Sequence, residues 1–175
     1  SGSLSSLGSL SGTGRWSRDL TFYQFSLFSK ALGVMRPLKV TGEELPRFLL
    51  SFGEVVIESI HTYNCPITDG QSRVNWVCHH RFAVIQTSHG FFSVEKNQEG
   101  IAVQYSRSKA DVTGQFLGVP RIKSVFHAVV GRRFVNMQQI LQWISSQELW
   151  KEYHLLKSNC KHFCERLLKG NASGH

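Results

Sequence analysis

With 175 residues, 41% of them hydrophobic and 18% charged, the chain has the size and composition of one folded domain, and a disordered tail or a fibrous protein is excluded. Its 20 Lys and Arg against 12 Asp and Glu leave a formal charge of +8, which favours anionic partners such as RNA, DNA or an acidic lipid surface and bears on association rather than fold. Only 4 cysteines are present; with no charged-then-apolar leader they do not form a disulfide framework, and a reducing, cytoplasmic setting is expected.

The opening "SGSLSSLGSLSGTG" carries too little apolar surface to offset ordering entropy and reads as a flexible leader over residues 1–15, with the domain occupying 16–175. Next, "LTFYQFSLFSKALGVM" sets Phe22, Phe25, Phe28, Ala31 and Leu32 at helical spacing, an aromatic stripe suited to core packing and able to touch a membrane interface. Thr41, ahead of Glu43 and Glu44, resembles a capping box before "LPRFLL", a helix kept short by Pro46 or begun there. Strands follow in "GEVVIESIHTY", "VNWVCHHRFAVIQT", "FFSVEK" and "IAVQYS", a meander of three or four antiparallel strands whose second and third join at Ser88-His89-Gly90.

The polar stretch 107–118 reads as a loop. After Pro120 the period changes, and "NMQQILQWISSQELW" gathers Met137, Ile140, Leu141, Trp143 and Ile144 on one helical face. A short strand "YHLL", then "KSN", leads into a closing helix from Cys160 to about Lys169, stopped by Gly170. Strands grouped between helices predict an α+β domain with an antiparallel sheet of about four strands. No apolar run approaches the roughly 20 residues of a membrane-crossing helix, so membrane contact would be peripheral.

The closing helix places Cys160, Phe163, Cys164, Leu167 and Leu168 on one face, with Lys161, Glu165, Arg166 and Lys169 toward water and His162 on a flank. Cys160 therefore stands in the first turn and faces inward, where the helix N-terminus favours thiolate over thiol and its N–H groups could line part of an oxyanion hole. A nucleophile also needs a base. His79 and His80 lie on a strand and point to opposite faces; sharing a face with Phe82 and Val84 favours His80 as the inward one. A zinc site built from Cys160, Cys164 and Cys78 lacks paired C-x-x-C or H-x-x-x-H spacing, so no metal is expected. A buried cysteine acting as a small hydrophobe is the plain alternative.

The run "YHLLKSNCKHFCERLLKG", residues 153–170, resembles the NC motif of the lecithin:retinol acyltransferase-like proteins, a circularly permuted branch of the NlpC-type, papain-like superfamily. Tyr153, Leu155, Asn159, Cys160, His162, Phe163, Leu167 and Gly170 carry the match. "HRFAVI" from His80 is similar to the H-box that precedes the cysteine in that branch. The resemblance implies a permuted papain-like core, no cofactor, Cys160 as nucleophile, His80 as base, and Asn159, His162 and His79 as supporting residues. Relatives orient the base with a second histidine on the next strand. "GFFSVEKN" has none, and counting from the turn puts Glu95 nearest that place, with Asn97 the alternative if the register slips. A solvated strand-end carboxylate is the other reading of Glu95.

The chain departs from membrane-active relatives by ending "KGNASGH" in place of a hydrophobic anchor. Picornaviral 2A proteins of the H-box/NC type fit these departures, as does the missing initiator methionine, which tag removal would also explain. This second likeness implies a non-proteolytic viral protein that binds RNA or host proteins and supports replication in the cytoplasm, at membrane-associated sites or in the nucleus, with a vestigial Cys-His pair. Arg121, Lys123, Arg132, Arg133, Lys157 and Lys161 are then the candidate phosphate contacts. The first likeness implies a thiol acyltransferase or phospholipase instead.

Overall fold

A computed structural model describes residues 16–25, 36–66, 79–130 and 133–169, excluding the side chains of His79, Val129 and Val130. In chain order the elements are β1 (Leu20–Gln24), β2 (Leu38–Val40), α1 (Leu45–Leu49), β3 (Ile57–Pro66), β4 (His79–Thr87), β5 (Gly90–Asn97) and β6 (Gly100–Ser106). They continue with α2 (Lys109–Gly114), β7 (Gln115–Phe116), β8 (Val119–Pro120), β9 (Val125–Val130), α3 (Met137–Ser146) and α4 (Cys160–Lys169), with 3-10 turns at Leu50–Phe52 and Glu148–Trp150. The class is α+β.

β3 to β6 pair in succession as the expected antiparallel meander, but the sheet is larger than four strands. Seven strands run in the order β2-β1-β6-β5-β4-β3-β9, with β1 parallel to β6 and β9 closing the far side on β3. The expected helix across Phe22 is instead strand β1, and Phe28, Ala31 and Leu32 lie outside the described residues. Leu20, Thr21, Phe22 and Tyr23 are all buried. A strand covered on both faces loses its polar alternation, and its apolar spacing then passes for a helix.

Two further expectations are corrected. The polar stretch after Arg107 is not all loop, because α2 forms there with Val112 fully buried and Asp111 accepting from the Ser106 hydroxyl at 2.6 Å. "YHLL" is not a strand; a lone bridge joins His154 to Ser158. The His154 ring accepts from the N–H groups of Leu156 and Lys157 at 3.2 Å each, which turns the chain there. The expected capping box does not cap α1: its N-cap is Glu44 with no side-chain cap bond, the Glu44 carboxylate instead accepting the Thr41 N–H at 3.4 Å, and α1 is short with Pro46 in its first turn.

Each face of the sheet has its own apolar cluster. Ala83 and Ile85 of β4 with Phe92 and Val94 of β5 face α3 and α4, meeting Met137, Ile140, Trp143, Phe163, Cys164 and Leu167. Burial of Phe163 and Leu167 alone contributes about 1.5–3 kcal/mol each to holding α4 on the sheet. Phe82 and Val84 point the other way, toward Tyr23, Phe25, Cys65 and Val112. The β4–β5 register is set by a tight turn, Thr87↔Gly90. Gly90 has φ +131° and a Cβ there would stand 2.9 Å from the Ser106 carbonyl oxygen, so only glycine fits.

Candidate active site

The N-terminus of α4 is capped from both sides of the bond network. The Asn159 side-chain oxygen accepts from the N–H groups of Lys161 and His162 at 3.0 and 3.1 Å, and the His162 ring returns to accept the Asn159 N–H at 3.2 Å. This reciprocal pattern is a capping box with histidine in the place usually held by Glu or Gln. Asn159 and His162 thus build the turn on which Cys160 sits. Two of the N–H groups expected to line an oxyanion hole, those of Lys161 and His162, are spent on Asn159.

Cys160 is 4% exposed, and its thiol and the His80 ring each shift the other's pKa. The β4–β5 ladder ends at Ala83↔Val94, and beyond that end the backbone N–H of Arg81 helps to lower the Cys160 pKa. The helix bearing the thiol lies on one face of the sheet while His80 shares the opposite face with Phe82, stacked at 6.2 Å. They meet where β4 leaves β5.

The far side of the His80 ring is equally defined. His80 Nε2 lies 2.5 Å from Glu95 Oε2, which leaves Nδ1 as the ring nitrogen for the thiol. Glu95 is 1% exposed, not the solvated carboxylate a strand end would offer. Arg121 grips it with Nη2 at 2.6 Å from Oε1 and Nη1 at 3.2 Å from Oε2. The guanidinium also lies 3.7 Å over the Phe82 ring, and its side chain is 4% exposed. The sequence reading of Arg121 as a surface phosphate contact is therefore corrected: its charge is consumed by Glu95.

Electrostatics follow from this chain of contacts. Burial alone would lower the His80 pKa, but hydrogen bonds to Cys160 and Glu95 and their negative charges outweigh it and raise the value to about 9. Burial would likewise raise the Cys160 thiol; the His80 hydrogen bond and charge, the Arg81 N–H and the Lys161 ammonium hold it below its ordinary value. Glu95 stays ionised because Arg121 and His80 overcome its burial. Both shifts favour a thiolate at Cys160 and an imidazolium at His80.

Neither neighbouring thiol shares this state. Cys65 pairs with His80 across β3 and β4, and burial pushes its pKa up against the opposing effect of Arg121. Cys164 is pushed well up by burial and by Cys160 one turn away. Among the described cysteines only Cys160 has its pKa lowered.

The remaining sequence-predicted residues separate. His79 pairs with Pro66 at the start of β4, and Asn97 ends β5 opposite Gly100. Lys123, Lys157 and Lys161 are exposed. Arg133 is exposed too and donates to the Arg166 carbonyl at 2.7 Å, while Arg132 lies outside the described residues. Arg166, expected in water, instead binds Glu148 with Nε at 2.7 Å and Nη2 at 2.9 Å. Among the described residues no group of three or more His, Cys, Asp or Glu is arranged to hold a metal ion, and no helix is long and apolar enough to cross a membrane.

No family model matches the chain, and no curated protein or solved structure matches it either.

Proposed function

We propose that the chain is a cysteine-dependent acyltransferase or phospholipase-type esterase of the H-box/NC kind, built on a permuted papain-like core. The carrying observation is that the His80 ring is bound by the buried Glu95 carboxylate and acts on the Cys160 thiol, holding it below its ordinary pKa. Base strand before nucleophile helix is the order of the permuted branch.

In the reaction, the Cys160 thiolate attacks an ester carbonyl to give a tetrahedral oxyanion. The imidazolium of His80 then gives its proton to the departing alcohol oxygen, and a thioester forms on Cys160. His80, now neutral, takes a proton from an incoming amine or water, which attacks the thioester and releases the thiolate. The proton gained by His80 restores the starting pair. Glu95 keeps the ring oriented and steadies its positive charge, and Arg121 keeps Glu95 ionised and in place.

Incubation with a short-chain activated ester followed by intact-mass measurement tests this. A single acyl adduct on the wild type that is absent from Cys160→Ala is expected. No adduct, or an equal one on the variant, refutes it.

A second reading is favoured by the exposed Lys123, Lys157 and Lys161 and the charge of +8. On this reading the chain is a picornaviral 2A-like binding protein that engages RNA or a host protein in the cytoplasm, and the Cys-His pair is not used.

A further inference from the structure

Next to Glu95 on β5, Lys96 points to the opposite face of the sheet, as neighbouring strand residues must. Its side chain is fully buried and lies away from the Cys160–His80–Glu95 contacts. Lys96 Nζ donates to the Lys151 carbonyl at 2.5 Å and to the Ser158 hydroxyl at 2.7 Å. These two acceptors stand at either end of the segment that leads into Cys160.

Glu148, also fully buried, completes the arrangement. It lies 4.0 Å from Lys96 Nζ and takes both Arg166 bonds described above, and Arg166 belongs to the same helix as Cys160. Arg166 Nη2 reaches Ser158 at 3.3 Å. Lys151 Nζ adds a half-exposed contact to Glu148 at 3.5 Å, and the Trp16 ring covers Lys96 at 5.0 Å while its Nε1 donates to the Leu149 carbonyl.

Burying two cations and a carboxylate costs desolvation that an apolar cluster of the same shape would avoid, so net stability is a poor explanation for it. What the cluster supplies is direction. A charge-assisted bond from a rigid strand fixes both ends of an otherwise irregular segment, and Glu148 fixes the helix against that same strand. With Glu95 on one side and Lys96 on the other, the end of β5 touches both the base and the approach to the nucleophile.

We propose that Lys96, with Glu148 and Arg166, is a positioning cluster that clamps residues 151–158 and thereby seats Cys160 against His80. The inference rests on the acyl-transfer reading for its purpose but not for its geometry. The environment of Lys96 agrees with a strained buried cation: burial lowers its pKa to about 8, Glu148 opposing the shift and Arg166 and Lys151 adding to it.

The test uses the full chain and two variants, Lys96→Arg and the double Lys96→Met/Glu148→Gln, the latter removing both partners so that no lone charge is left buried. Folding is verified by circular dichroism, and two readouts follow: tryptic cleavage after Lys157, and the pH profile of Cys160 alkylation by iodoacetamide. The double variant is expected to be cut about tenfold faster at Lys157 and to alkylate with the pH profile of an ordinary thiol near 8.5. Lys96→Arg is expected to restore part of both.

If the folded double variant is cut at the wild-type rate and keeps the wild-type alkylation profile, the clamp is refuted. If it does not fold, Lys96→Arg decides alone: a wild-type cleavage rate together with a shifted alkylation profile refutes the clamp, and parallel changes in both support it. If the wild type takes no acyl group from an ester yet cleavage and alkylation change together, the clamp stands and the acyl-transfer reading falls.

Discussion

The chemistry of single side chains is decided by which groups share the sheet face of His80. Cys160 is legible in the sequence because asparagine-cysteine ahead of an amphipathic helix is a local pattern, whereas the face assigned to His80 is corrected: Phe82 and Val84, whose company predicts a His80 turned toward the closing helix, look away from that helix. Glu95 is only partly legible. Carrying the β4–β5 register past Ala83↔Val94 would set Asn97 opposite His80, and only the departure of β4 from β5 brings the ring to Glu95. Arg121 is not legible, since its partner is 26 residues away and an arginine in a polar stretch looks like surface; the one hint is that a buried carboxylate demands a cation. His80→Gln is expected to slow acylation about 10²–10⁴-fold, measured as thioester formation by mass. Arg121→Met leaves the buried Glu95 with His80 as its remaining cationic partner and is expected to destabilise the fold by up to about 3 kcal/mol, read from urea unfolding. The pH dependence has a fixed sign. The His80 pKa is raised from 6.5 to about 9 in the folded state, so its stabilising contribution is complete below 6.5 and disappears as pH climbs through about 9. The destabilisation caused by His80→Gln should accordingly shrink between pH 6.5 and pH 9, and one that grows across that interval contradicts the assignment.

Among the elements, the meander and the two long helices follow from period alone, whereas the elements at the sheet margins do not. Strand β1 hides its alternation because it is covered on both faces, and α2 has no side-chain N-cap bond to announce it. The run from Asn159 to His162 shows a sequence signal with a structural meaning that spacing could not supply. Asn159 and His162 are a reciprocal cap, so their identity is set by the need to start a helix at the thiol. His162→Gln should therefore preserve the helix start, glutamine being able to accept the Asn159 N–H, and Cys160 alkylation should stay within a few-fold of wild type. Asn159→Ala is expected to cost about 1 kcal/mol and to slow alkylation at neutral pH, because the frayed first turn no longer holds the sulfur against the Arg81 N–H. A glutamine variant as inert as Cys160→Ala would instead place His162 in the chemistry.

For the molecule as a whole, composition announces a basic protein but not where the charge works. Arg121 and Arg166 are turned inward to Glu95 and Glu148, so part of the formal +8 is internal wiring, and the outward share near the thiol rests on Lys157 and Lys161, with Lys123 beyond Arg121. This separates the two functional readings. If the surface binds single-stranded RNA through these lysines, each phosphate contact contributes about 0.7 to the slope of log affinity against log salt. Replacing Lys123, Lys157 and Lys161 by alanine should then lower the magnitude of that slope by about 2 and weaken binding alike across unrelated sequences. Cys160→Ala, with the same surface, should bind as wild type. The triple variant should also keep its ester-derived adduct, because of the three lysines only Lys161 acts on the thiol, and it does so through charge at a distance behind the stronger His80 effects. A slope unchanged by the triple substitution removes these lysines from any RNA interface.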